Sequence, residues 1–214
     1  MQETLFQTPD VMGSKAEKIY LPGGEIALYR NWMHRDEASV SFEKLSTELA
    51  WEQSIVQIHG RKVLIPRLNA WYGDPGAEYG YSGIRLKPRM WTSTLEAVKF
   101  KVEATVASEF NSVLANLYRD GRDSVSWHSD DEIELGTNPI IASVSLGAQR
   151  RFVLKHRRRK NLAKLELWLP HGSLLLMTGA TQHNWYHQLP KTTRPVQPRI
   201  NLTFRNIQRA SPLP

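Results

Sequence analysis

The 214-residue chain contains no cysteine. That absence removes a disulfide framework, thiolate zinc sites, Cys-ligated iron–sulfur clusters, cysteine nucleophiles and thiol methyl acceptors. Any bound metal must sit among His, Asp, Glu and neutral oxygen ligands. Long apolar runs are missing too. None approaches the roughly 20 residues needed to cross a bilayer, so no membrane partner is expected. The opening stretch Met1–Lys18 lacks a basic segment followed by an apolar one and does not read as a secretion signal. A cytoplasmic protein is expected. Internal repeats and low-complexity linkers are absent as well.

What is present fits a folded, water-exposed chain: hydrophobic residues make up 41% and aromatics 9%. This length normally builds one domain with a core of its own. The net charge of +7 favours polyanionic partners, because each phosphate neutralised releases condensed counterions. Charge alone does not separate nucleic-acid binders from other basic proteins.

Residues 1–25 read as a flexible arm ending at the turn Pro22-Gly23-Gly24. Two helices are expected. One runs from about Glu37 to Glu52 with Phe42, Leu45, Leu49 and Ala50 on one stripe. The other runs from about Ser93 to Ala107, with Thr94 as its cap and Leu95, Val98, Val102 and Val106 at helical spacing. From Asn111 onward the pattern changes to short β-branched or alternating segments: SVLANLYR, IIASVSLG, RRFVLKHR, LAKLELWL, GSLLLMTG and RINLTFRNI. Many strands without intervening helices predict a mainly β, α+β protein built as an antiparallel sandwich or jelly roll. The basic run Lys155-His156-Arg157-Arg158-Arg159-Lys160 reads as an exposed hairpin tip, either simply solvated or touching phosphate.

Trp127-His128-Ser129-Asp130 carries an imidazole and a carboxylate two residues apart. In extended backbone, positions i and i+2 share a face, so His128 and Asp130 can address one cavity. A second histidine from a distant strand would complete a 2-His-1-carboxylate set, which leaves coordination positions open. His171, His183 and His187 are the candidates, and spacing does not choose among them. In Arg199–Arg205 the polar residues Arg199, Asn201, Thr203 and Arg205 alternate with Ile200, Leu202 and Phe204. Asn116 and Tyr118 repeat the device ahead of the His-x-Asp element. Two polar-lined strands beside a candidate metal site suggest a pocket for a small dianion, which a guanidinium fork matches bidentately.

Several motifs, in order, resemble the AlkB-type nucleic-acid demethylases. They are Asn116-x-Tyr118, Trp127-His128-Ser129-Asp130-Asp131-Glu132, Pro139–Gly147, His171–Met177, Trp185-Tyr186-His187-x-Leu189-Pro190 and Arg199-x-Asn201-Leu202-Thr203-Phe204-Arg205. Earlier, Pro66-Arg67 and Tyr72-Gly73-Asp74 through Tyr81-Ser82-Gly83 resemble that family's nucleotide-recognition region. The likeness covers about residues 54–208.

The resemblance implies a double-stranded β-helix (jelly-roll) core at residues 111–208, preceded at 26–110 by helices and a nucleotide-recognition region, in one compact domain. It implies Fe(II) held by His128, Asp130 and His187, with 2-oxoglutarate and O2 as co-reactants. Arg199, Asn201 and Tyr118 would hold the distal carboxylate of 2-oxoglutarate, with Arg205 and Asn116 near its chelating end and Thr203 on the same face. Tyr79, Tyr81, Asp131 and Glu132 would line or border a base pocket. The implied activity is oxidative demethylation of 1-methyladenine and 3-methylcytosine in alkylated DNA, with RNA as a second substrate, releasing formaldehyde, succinate and CO2. Ile58-His59-Gly60 stands where duplex-active relatives carry an aromatic wedge. This suggests single-stranded or locally opened substrates. A monomer is expected, since nothing in the sequence demands more. The rival readings are a same-fold oxygenase acting on a protein or small molecule, and a non-catalytic nucleic-acid-binding module.

Overall fold

The computed structural model describes residues 15–58, 60–81 and 84–208. The chain enters through the hairpin β1 (Glu17–Leu21) and β2 (Gly24–Tyr29), then α1 (Arg35–Glu48), β3 (Ile55–Ile58), β4 (Arg61–Leu64), β5 (Leu68–Gly73), β6 (Tyr79–Tyr81), β7 (Ile84–Leu86) and α2 (Ser93–Val106). There follow β8 (Ser112–Tyr118), β9 (Val125–His128), a 3-10 turn at Ile133–Leu135, β10 (Ile141–Gly147), β11 (Arg150–His156), β12 (Leu165–Leu169) and β13 (Ser173–Thr178). The chain closes with the single turn α3 (Thr181–Asn184), β14 (Trp185–Leu189) and β15 (Arg199–Arg205).

Seven strands form one sheet in the order β1-β2-β13-β10-β15-β8-β5, and four form a second in the order β12-β11-β14-β9. All neighbours in both are antiparallel. From β8 to β15 the chain repeatedly crosses between the two sheets, giving the expected jelly roll.

Period-two patterning decides what each sheet face meets. Ile200, Leu202 and Phe204 of β15 pack with Ala115 and Val144 against Leu45 of α1 and Leu95, Val98 and Val102 of α2. A second cluster lies between the sheets, where Trp71, Ile141, Leu175 and Met177 meet Phe152, Leu154, Leu167 and Trp185. Burying an apolar side chain of this size contributes about 1.5–3 kcal/mol. Arg199, Asn201, Thr203 and Arg205 are buried on the inter-sheet side of β15, where aliphatic residues would have stabilised the fold more. A strand that gives up core positions to two guanidiniums is shaped by a ligand.

Gly147 ends β10 with φ +87°, and a Cβ there would collide with the Pro198 carbonyl. That close approach, with Ala148 N–H donating to Pro198 at 2.9 Å, fixes the register in which Gly147 faces Arg199.

Four expectations are corrected. Residues 17–25 are not an arm: β1 and β2 join the large sheet through β13, and Trp185 Nε1 and Asn184 Nδ2 donate to the carbonyls of Pro22 and Gly23 in the turn. The strands β2 and β5 share the large sheet with the later strands, so residue 111 is no structural boundary. The first helix spans Arg35–Glu48 and buries Ala38, Ser41 and Leu45, with Leu49 at its end, Phe42 half-buried and Ala50 beyond it. The cap of α2 is Thr92, whose hydroxyl accepts from Leu95 N–H at 3.3 Å, whereas Thr94 donates to Glu48.

Candidate active site

His128 closes β9 and is the register partner of His187 on β14, so two adjacent strands bring the imidazoles together. Their ring centroids lie 4.2 Å apart at 64°. Asp130 follows two residues past the strand end. Ligand atoms of His128, Asp130 and His187 all fall within 4.8 Å of one another. Ser129 is buried beside them, and the His-x-Asp spacing sends both side chains to one cavity as expected.

The electrostatics suit a cation. Burial first, then the neighbouring His128, pull the His187 imidazole down to about 3, so it is neutral and presents a lone pair. Burial also lowers His128. Its Nδ1–H donates to the Ser126 carbonyl at 2.8 Å, leaving Nε2 as the free lone pair. Burial opposes ionisation of Asp130, but the Arg205 guanidinium beside it outweighs burial and holds the carboxyl below its ordinary value. Two neutral imidazoles and one carboxylate make a hard-to-borderline donor set that suits Fe(II) and leaves positions open.

The same cavity is lined by Asn116, Tyr118, Arg199, Asn201, Thr203 and Arg205, so the structure brings together every residue expected to bind the cosubstrate. Arg199 is 2% exposed and meets no carboxylate among the described residues. Its Nη2 donates to Ser145 at 2.8 Å and its guanidinium lies 5.3 Å from the Tyr118 ring centroid. Burial lowers it to about 10, which leaves it cationic at neutral pH. Its buried Nε has no partner among the described residues. A buried cation with an unused donor is costly unless an anion completes it, and a carboxylate of 2-oxoglutarate fits that role.

Other expected residues take different places. Asn201 spends its amide on Ser143 and the Val144 carbonyl, and Thr203 donates to Asn201 at 3.1 Å, so these two brace the wall. Asn116 accepts from Arg67 Nε at 2.7 Å. Asp131 is paired with Arg157 at 2.6 Å, as an acidic turn balancing an arginine, and Glu132 is half-buried next to it. Tyr79 and Tyr81 lie on β6, but their side chains, like the whole of His59, fall outside the described residues. His171 accepts from Gly147 N–H at 2.8 Å and contacts Ser39, and His183 accepts from Asn138 N–H, so neither joins the metal set. The turn of the basic run does connect β11 to β12. His156 is buried within it, accepting from Arg158 and Arg159 N–H.

Sequence reasoning missed four residues. Arg67 lines the cavity. Gln182, fully buried in α3, accepts from Asp130 N–H at 2.9 Å. Ser143 and Ser145 support Asn201 and Arg199. The two serines were signalled by the period-two alternation against Ala142, Val144 and Leu146 of β10; Arg67 was marked only by the Pro66-Arg67 resemblance, which gave it no place in this cavity, and Gln182 carries no local signal.

The fold and this site define an iron- and 2-oxo-acid-dependent oxygenase, and the chain belongs to the 2OG-Fe(II) oxygenase superfamily, whose model matches residues 25–205. Fe(II) and 2-oxoglutarate come with that membership. Within it the chain groups with the AlkB homologues. It is 42% identical over 180 residues to mouse DNA oxidative demethylase ALKBH2, covering 80% of this chain and 75% of that one. It is 39% identical over 190 residues to human alpha-ketoglutarate-dependent dioxygenase alkB homolog 3, covering 85% of this chain and 66% of the relative. The chain therefore spans about two thirds of the alkB homolog 3 length. Among solved structures, OsALKBH1 matches the fold with a TM-score of 0.62 at 15% identity, over 89% of this chain and 100% of that one.

Proposed function

We propose that the chain oxidatively demethylates N-alkylated bases, 1-methyladenine and 3-methylcytosine, in DNA and in RNA. The observation that carries the reading is one cavity holding His128, Asp130 and His187 together with Arg199, a buried cation whose Nε lacks a partner among the described residues, on a chain similar to a DNA oxidative demethylase.

In this reading His128, Asp130 and His187 hold the iron. Arg199, with Tyr118, anchors the distal carboxylate of 2-oxoglutarate against the wall that Asn201 and Thr203 brace, while Arg205 and Asn116 bound its other end. Bound iron and 2-oxoglutarate supply, with O2, the oxidising power needed at an inert methyl C–H bond. The chain supplies position: neutral imidazoles need shed no proton to ligate, and Arg205 keeps the buried Asp130 ionised. The target methyl sits on the Watson–Crick edge, so the base must leave its stack to reach this buried site. Tyr79, Tyr81, His59, Asp131 and Glu132 are proposed to receive it, with Asp131 acting from within its Arg157 pair.

A polyanionic substrate also suits the outer face of the four-stranded sheet. There Lys155 lies 4.2 Å from the Trp127 ring centroid and Arg157 lies 4.5 Å from that of Tyr186. Lys164 also reaches Trp127, at 5.8 Å. Monomeric action in the compartment that holds the nucleic acid is part of the proposal. No helix among the described residues is long and apolar enough to cross a membrane.

The test is formaldehyde release from a 3-methylcytosine oligonucleotide with Fe(II) and 2-oxoglutarate. One formaldehyde per repaired base is expected. Turnover of 2-oxoglutarate without repair of any methylated oligonucleotide would point to another substrate class.

A further inference from the structure

We infer that Gln182 is a positioning residue for the metal site, setting the direction in which Asp130 presents its carboxylate. The inference rests on the metal-site reading above. Strand β9 ends at His128, so Asp130 has no ladder partner to fix its backbone. Asp130 is nonetheless 3% exposed, and a buried N–H must find an acceptor. Gln182 Oε1 supplies it at 2.9 Å, in place of a strand bond.

The glutamine cannot trade roles easily. It is fully buried, and its Nε2 donates to the thioether of Met177 at 3.6 Å, a weak acceptor, so the oxygen is the end aimed at Asp130. Its backbone is held as well. Thr181, beside it, accepts from Glu25 N–H at 2.8 Å and donates to Thr178 at 2.6 Å. Arg157, which binds Asp131, also reaches the Gln182 carbonyl at 3.4 Å. The turn α3 therefore links the β1–β2 hairpin, the Asp130 segment and the start of β14, which bears His187. Carboxylate and imidazole approach the metal position from elements that the Gln182 side chain joins directly at Asp130.

The test is a Co(II) titration of the metal-free full-length chain, followed by visible absorption, for wild type, Gln182→Leu and Gln182→Glu. Gln182→Leu removes the acceptor at nearly constant volume. It is expected to raise the Co(II) dissociation constant about 10-fold or more and to alter the ligand-field bands, as loss of outer-shell support to a ligand does. Gln182→Glu keeps an acceptor oxygen at the same reach and is expected to restore both. A purely structural glutamine would lower thermal stability and leave the folded protein's Co(II) affinity and spectrum as in wild type, which would overturn the inference. So would a Gln182→Glu variant as weak as Gln182→Leu. Should Q182L fail to fold, Gln182→Asn reads the same quantity. Shortened by one methylene, its oxygen falls out of reach, and wild-type affinity in that variant would again overturn the inference. A wild-type chain that binds no Co(II) would sink the metal-site reading itself, and this inference with it.

Discussion

Arg205 Nη2 donates to Asp130 Oδ1 at 2.5 Å, joining the last residue of β15 to the carboxylate between the two histidines, with both side chains buried. The cavity's cosubstrate wall is thereby tied to its metal wall. Removing the cation strands a buried negative charge, which costs about 3–5 kcal/mol. Arg205→Met is expected to lower the stability of the metal-free protein by that order, with Co(II) or Mn(II) restoring part of it by neutralising Asp130. Thermal or denaturant unfolding with and without metal measures both quantities.

Arg199 behaves in the opposite way. It is a buried cation with no carboxylate among the described residues, so Arg199→Met removes a desolvation cost rather than a pair. The variant is expected to be as stable as wild type or more so. Its KM for 2-oxoglutarate should rise at least about 30-fold, the equivalent of one charge-assisted contact. Unfolding curves and cosubstrate titrations on the same preparation test the two halves together.

The contrast shows how far the sequence could be read. The alternation Arg199–Arg205 announced both faces of β15, and His128-x-Asp130 announced a shared cavity, because each lies within one extended segment. Pairings between distant segments were not legible. The β1–β2 hairpin looked like an arm because its partner β13 lies about 150 residues on. Gln182 and Asp130 are 52 positions apart, and Asp131 finds Arg157 at 26. Thr92 rather than Thr94 caps α2 because the first turn starts at Ser93, two residues before the apolar stripe begins at Leu95.

Asp123 gives the acid limb of stability. Burial would raise its carboxyl, but Arg119 donates three hydrogen bonds of 2.8–2.9 Å, from its backbone N–H, Nε and Nη2, and holds it below the ordinary value. The folded state then binds fewer protons than the unfolded chain. The stabilisation is complete above the unfolded carboxyl pKa, near about 4, and is lost as pH falls through the lower folded value. Arg119 is half exposed, so about 1 kcal/mol is expected. Asp123→Asn should destabilise by this amount at pH 7 and flatten the fall in stability below about pH 4. Urea unfolding across that range measures it.

By the family resemblance, His59 stands at the sequence position where duplex-active members carry an aromatic wedge, and we propose that it sets the preferred form of the substrate. Imidazole offers less apolar surface to fill the gap left by a flipped base. Turnover on a methylated single strand is expected to equal or exceed that on the same strand annealed. A strong duplex preference would refute this part of the account.

The most direct test is an anaerobic Fe(II) titration in the presence of 2-oxoglutarate, watching the visible charge-transfer absorption of Fe(II) chelated by a 2-oxo acid. Wild type is expected to develop the band with one Fe(II) per chain, His187→Ala to lose it, and Arg199→Met to need far more 2-oxoglutarate. A wild-type chain without the band, or His187→Ala with it undiminished, would contradict the account.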